Sequence, residues 1–201
     1  LLMWSDLFFN HADGNSYAPS VDSCNIKAQI PDNVSLVYWD YYATEKAHYD
    51  QQLHAHKALR PGSWFAGGLW SWTGYAPHNG FSIRAAQAAI ESCRENGVQD
   101  IFFTLWGDDG GECSRYALLP SLFYVSELAR GNSDAETIKF RFRKKFQLPF
   151  EKFMLLDLPG TPNGTDTQIC NAEKFLLYQD CFLGLMDRNA APGTGAQYAL
   201  F

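Results

Sequence analysis

Four stretches of the chain set indole or phenol rings beside carboxylates or glycines. They are Trp4-Ser5-Asp6, Tyr38-Trp39-Asp40-Tyr41-Tyr42, Trp64 to Trp72, and Leu105-Trp106-Gly107-Asp108-Asp109-Gly110-Gly111-Glu112. A flat ring packs against the apolar C–H face of a sugar, and a carboxylate accepts hydrogen bonds from its hydroxyls. The chain has six Trp and ten Tyr among 201 residues, so the competing explanation for any single Trp is a core rich in rings. A Trp beside an Asp at the end of a strand favours carbohydrate over core.

Other chemistries leave no pattern. There is no GxSxG, no HExxH and no phosphate loop, so neither a serine nucleophile, a zinc site nor a nucleotide cradle is indicated. The five cysteines, Cys24, Cys93, Cys113, Cys170 and Cys181, are odd in number and irregularly spaced, with no CxxC; they read as free thiols in a reducing, cytoplasmic compartment. No metal and no cofactor is called for. The net charge of -6 gives no basic footprint for nucleic acid. No apolar run approaches the roughly 20 residues of a membrane span, and no signal-peptide pattern is visible. His54 and His56 are expected to have surface or packing roles, whereas His11 and His78 fall in loops within reach of a ligand.

The elements that must hold the aromatic stretches alternate. Strands are expected at Leu1 to Phe9, Val34 to Tyr42, Ser63 to Thr73 and Asp100 to Trp106. Helices are expected at Glu45 to Leu59 with Thr44 as cap, at Ile83 to Glu95 capped by Ser82, and at Tyr116 to Arg130. A long polar loop covers Asn10 to Asp32. The Gly67-Gly68 pair indicates a bulge or a close backbone approach. Strands alternating with helices at this spacing indicate parallel βα units. A dinucleotide-binding fold would need a Gly-rich turn after the first strand, which is absent. The rings and carboxylates sit at the C-terminal ends of the strands, where TIM barrels build their sites.

The expected fold class is therefore α/β: the second half, four βα units, of a TIM (β/α)8 barrel over residues 1–131, followed by a truncated helical C-terminal region over 132–201. That region opens on a capping box at Ser133 to Glu136, continues in a helix at Pro149 to Leu158, and has an apolar helix at Ala172 to Asp187. A half barrel leaves two open strand edges, so its partner is expected to be the remaining half, on the same full-length chain or on a second copy. The abrupt opening at Leu1 and the uncapped end at Phe201 likewise suggest a segment of a longer protein.

In order and spacing, Trp4-Ser5-Asp6-Leu7-Phe8-Phe9, Tyr38-Trp39-Asp40-Tyr41-Tyr42, Gly68-Leu69-Trp70-Ser71-Trp72 and Leu105-Trp106-Gly107-Asp108-Asp109-Gly110 resemble the second half of a family 20 glycoside hydrolase. The resemblance is to the bacterial exo-acting β-N-acetylhexosaminidases with a helical C-terminal domain, and Phe175-Leu176-Leu177-Tyr178-Gln179-Asp180 resembles a motif of that domain. It implies retaining removal of a terminal N-acetylglucosamine or N-acetylgalactosamine, with the substrate's own acetamido oxygen as nucleophile. An aromatic box must press that oxygen against the anomeric carbon.

By the resemblance, Trp4 is a wall of the box and Trp106 its base. Asp108 accepts from the 4- or 6-hydroxyl, where many members have Glu. Tyr38 donates to the acetamido group and Asp40 holds a sugar hydroxyl, with Trp39 as the alternative inward residue. Adjacent strand residues point to opposite faces, so Tyr38 and Trp39 cannot both face inward. Trp70 or Trp72 completes the box, while Asp109 and Glu112 stay unassigned. The His-x-Gly-x-Asp-Glu signature does not occur, nor does any adjacent Asp-Glu. The acid pair is expected upstream of Leu1, and the isolated segment is expected to be inactive. The alternatives are another TIM-barrel hydrolase of acetamido sugars and a non-catalytic carbohydrate-binding protein.

Overall fold

The computed structural model describes residues 1–13, 27–108, 110–161, 172–178 and 182–184, with Ala196 and Ala199. The chain divides into two compact units, Leu1–Gly68 with Ala85–Thr104, and Leu69–Arg84 with Leu105–Phe201. The class is α/β, built on a four-stranded sheet in the order β1-β2-β3-β4. The strands are β1 (Leu2–Trp4), β2 (Ser35–Trp39), β3 (Trp64–Gly68) and β4 (Ile101–Thr104), and all three pairings are parallel.

In the first unit the register sorts the strand residues into two faces. Met3 pairs with Leu36, Tyr38 with Phe65, Phe65 with Ile101, and Gly67 with Phe103. This face packs on helices α1 (Asp6–Asp13), α2 (Lys46–Leu59) and α3 (Asn79–Glu95). Tyr38 and Phe65 meet Tyr49, Leu53, Ala88, Ala89 and Cys93 there, while Leu36 meets Phe9, Ile30 and Leu59. Ile83, Ala86, Ala89, Ile90 and Cys93, spaced to share one face of a helix, are all buried. Asp50 draws α2 and α3 together, accepting from Lys46 at 2.8 Å and from Ser92 at 2.6 Å.

The opposite face carries Leu2, Trp4, Val37, Trp39, Trp64, Ala66 and Phe102. The Trp4 and Phe102 ring centroids are 6.2 Å apart, and Phe102 lies 6.3 Å from Trp64. The first and fourth strands of a flat sheet lie about 14 Å apart, three spacings of ~4.8 Å. Rings from the two outer strands therefore lean together across the small residues Val37 and Ala66, as on a concave surface.

Several boundaries differ from the sequence expectation. The first strand stops at Trp4, and Asp6–Asp13 is helical. The short apolar run Leu7 to Phe9 fits a buried helix as well as a strand, and periodicity alone cannot separate them. Ser5 ends the ladder by donating to Val37 O at 3.0 Å, and the Phe8 amide then turns back onto Ser5 O. The third strand ends at Gly68, so Trp70 and Trp72 belong to the following loop. Helix α2 is preceded by Glu45, not Thr44, at the cap position.

The close approach expected at the Gly pair is real at Gly67. A side chain there would collide with the ring of Phe103, its register partner on β4.

The second unit is helical: a 3-10 turn at Arg115–Leu118 leads into α4 (Leu119–Ala129), followed by α5 (Ala135–Phe146), α6 (Phe150–Met154) with a 3-10 turn at Leu155–Asp157, and α7 (Ala172–Tyr178). The cap of α5 is Asp134, which accepts from the Thr137 amide at 2.8 Å, instead of the expected Ser133. Phe142 centres a ring cluster with Phe123, Phe146, Phe150 and Phe153. Buried Glu127 of α4 accepts from Arg141 of α5 at 2.6 Å and from Asn132 at 3.1 Å. Arg141 is thus committed to packing the two helices.

Gly67→Ala is expected to lower stability by about 1–3 kcal/mol through overpacking. Denaturant unfolding would show the penalty shrinking in a Phe103→Ala background; an equal loss in both backgrounds would mean the ring is not its cause.

Candidate functional site

At the C-terminal ends of β1 and β2, two indoles occupy the concave face. Trp4 is 39% exposed. Trp39 lies two residues beyond Val37, the register partner of Trp4, and its ring stacks 5.1 Å from Tyr41. Trp64 and Phe102 share the face. Two-residue alternation from Trp4 and Trp39 through the pairing could have found them, but the strand register is not visible in the sequence.

Tyr38 points the other way. It is 1% exposed, and its ring lies 4.6 Å from His56 and 5.5 Å from Phe65 in the helix-covered core. Its hydroxyl donates to Asp40 Oδ2 at 2.9 Å. The same oxygen is 2.7 Å from His48 Nε2, while Asp40 Oδ1 accepts from the amides of Tyr42 at 2.9 Å and Ala43 at 3.2 Å. Both carboxylate oxygens of buried Asp40 are therefore filled by the chain itself. The expectation that Tyr38 presents its hydroxyl to an acetamido group is corrected by strand alternation, because Trp39 holds the concave side. Asp40 serves as the hub of the turn that follows β2, not as an open acceptor for a sugar hydroxyl.

A second buried polar link lies at the end of β1. His56 Nδ1 is 2.7 Å from Gln52 O and His56 Nε2 is 2.7 Å from Ser5 Oγ. A carbonyl oxygen only accepts, so Nδ1 carries the proton and Ser5 donates to Nε2. Burial pushes His56 down to about 4. The imidazole is thus a neutral brace that ties the residue between Trp4 and Asp6 to α2, which agrees with the packing role expected for it.

In the second unit Trp70 and Trp72 are buried, with rings 5.0 Å apart; Trp70 also meets Phe81 at 4.8 Å. They form an aromatic core under their own loop and offer little surface to a ligand. Ser71, between them, donates to the backbone oxygen of Trp106 at 2.7 Å. Trp106 itself is 40% exposed, and Asp108 is exposed. The turn beyond needs glycine: Gly110 and Gly111 have φ of 98° and 65°, a region that suits residues without a side chain. Asp109 lies outside the described residues. Glu112 pairs with Lys174 at 3.0 Å.

His78, placed by the sequence in a loop from which it could touch a ligand, is buried against Trp70 and Phe81; the side chain of His11 is outside the described residues. Asn79, fully buried, is saturated. Its Nδ2 donates to Ala117 O at 3.0 Å and to Asp157 Oδ1 at 2.8 Å, and its Oδ1 accepts from the Ser121 hydroxyl at 2.7 Å. Asp157 Oδ2 also accepts from the Gly80 amide at 2.8 Å, so a residue about eighty positions away caps the first turn of α3. The sequence expectation of Ser82 as the cap misses this link, because the capping group comes from tertiary structure. Ser82 instead accepts from the Trp70 amide at 2.8 Å.

Burial pushes the Cys93 thiol up to about 12 and the Cys113 thiol up to about 11, which leaves neither a ready nucleophile. Among the described residues no group of three His, Cys, Asp or Glu could hold a metal ion, and no helix is long and apolar enough to cross a membrane. Compared with models of known protein families and with curated proteins, the chain matches none.

The His56 brace has a pH signature. Its folded pKa lies below the usual 6.5, so between about 6.5 and about 4 the unfolded chain binds the proton and the folded chain does not. Stability is expected to fall across that window by up to about 3 kcal/mol as pH drops. Urea unfolding at several pH values should show a shallower slope for His56→Gln; identical slopes would count against a neutral buried imidazole.

Proposed function

We propose that residues 1–131 are the second half of a TIM barrel and that the chain is part of a β-N-acetylhexosaminidase of the family 20 type. The observation that carries this is the open, ring-lined face of the parallel sheet, with Trp4 and Trp39 at strand ends. Parallel sheets ordinarily have both faces covered. A concave face lined by indoles suits closure by further strands around an apolar sugar face. Sequential strand order with a helix after each strand, and the curl implied by the Trp4–Phe102 contact, also support a barrel.

In this proposal Trp4 and Trp39 stack on the sugar. Trp106 bears on the acetamido group, and Asp108 accepts from the 4- or 6-hydroxyl. Exposure of Trp106 and Asp108 supports these roles, whereas the burial of Trp70 and Trp72 favours a supporting role for that pair. The donor to the acetamido oxygen then comes from a residue other than Tyr38. Catalysis is substrate-assisted, and the Asp-Glu pair comes from the upstream half. The chain supplies recognition and orientation, not the proton.

Two measurements test this. The 201-residue chain alone should release no chromophore from a chromogenic N-acetylglucosaminide, and detectable turnover would overturn the assignment of the acid upstream. In the full-length protein, Trp106→Ala should lower kcat/KM by about 10- to 100-fold, the scale of one well-placed stacking contact plus lost orientation. Unchanged kcat/KM would remove Trp106 from the sugar site.

A further inference from the structure

Two loops of the second unit follow strands and carry tryptophans. One, residues 69–78, follows β3 and holds Trp70 and Trp72. The other, residues 105–114, follows β4 and holds Trp106 and Asp108. They are joined directly by Ser71 Oγ donating to Trp106 O at 2.7 Å.

Helix α7 reaches both loops from two successive residues. Glu173 Oε1 accepts from the amides of Tyr75 at 3.1 Å and Ala76 at 3.4 Å in the first loop. Lys174 Nζ meets Glu112 Oε2 at 3.0 Å in the second. About a turn later, the Tyr178 ring packs on Tyr75, with ring centroids 6.1 Å apart. The contacts form a closed circuit: the first loop to Trp106, along the second loop to Glu112, across to α7, and back to Tyr75.

We propose that α7 is a positioning clamp that fixes the first loop against the second and thereby sets where Trp106 and Asp108 stand. The link to sugar rests on the hexosaminidase reading above; the clamp itself does not. Two features favour a dedicated contact over incidental packing. The carboxylate uses one oxygen for both amides, while its Oε2 is buried without a hydrogen-bond partner. Such a group is costly to keep, and burial raises its pKa. Neighbouring side chains on a helix diverge by about 100°, yet Glu173 and Lys174 each find a different loop. Neither residue touches reacting atoms; both act through the loops they hold.

The test separates the clamp from the sugar chemistry. Glu173→Gln keeps the accepting oxygen, Glu173→Ala removes it, and Lys174→Met removes the ion pair. Amide hydrogen exchange in the 201-residue chain should show Tyr75 and Ala76 exchanging at least tenfold faster in Glu173→Ala, with Glu173→Gln close to the parent. Equal exchange in Glu173→Ala and the parent overturns the clamp. In the full-length protein, the Glu173→Ala, Lys174→Met double variant should raise KM for an N-acetylglucosaminide at least fivefold with kcat within twofold, and Glu173→Gln should restore it. Faster exchange with an unchanged KM would overturn the link from α7 to the recognition loops. A parent protein with no activity on the sugar would retire the hexosaminidase reading and leave the clamp to stand or fall on the exchange result.

Discussion

Strand alternation is the constraint on which the first unit depends. Each residue on a strand faces either the helices or the concave side, and a parallel register transmits that choice to the next strand. Pairing Tyr38 with Phe65 commits Tyr38 to the helix layer. Trp39 must then face the concave side, two residues beyond Val37, the register partner of Trp4. A one-residue slip would bury Trp39 among Tyr49, Leu53 and Ala89 and expose Tyr38. Such a slip would also take the Tyr38 ring away from His56 and Phe65.

The second unit uses a different device. Its loops have no ladder to set their position, so buried polar groups do it. Asn79 uses all four hydrogen-bonding positions of its amide, counting the longer bond from the Ser121 amide at 3.3 Å. Asp157 spans the amide of Gly80 and the side chain of Asn79. A half-satisfied network of this kind costs about 1–3 kcal/mol for each orphaned group, so its members stay together or all lose. The start of α3 is thereby fixed to α4 and to the turn at Asp157. The Trp70 loop, tied to α3 by Ser82, inherits that position.

Much of the architecture was legible in the sequence. The number and order of strands and the stripe on α3 followed from composition, spacing and breakers. The failures have physical causes. Leu7 to Phe9 reads as strand because three apolar residues carry no period. Tyr38 was assigned to a ligand because Tyr-x-Asp spacing says nothing about which face the strand presents. Trp70 and Trp72 read as strand residues because an aromatic run continues past Gly68, whereas the chain leaves the ladder there. Asp157, Asn79 and Glu173 carried no local signal, since each acts on backbone that is remote in sequence.

The polar residues at and beneath the strand ends divide by what their side chains already hold. Asp40, Ser5 and His56 are spent on neighbours, and their effect on the concave face runs through the backbone they fix. Asp108 is exposed, and Trp106, whose carbonyl accepts from Ser71, is 40% exposed. The same division separates the tryptophans: Trp70 and Trp72 fill space, while Trp4 and Trp106 present it. Rigid support beneath an exposed ring is what stacking on a sugar requires, because a ring free to rotate would lose on binding the entropy that a packed one has already lost on folding. On the proposed reading, buried aromatics and filled carboxylates form, within each unit, the layer that keeps its exposed indole still.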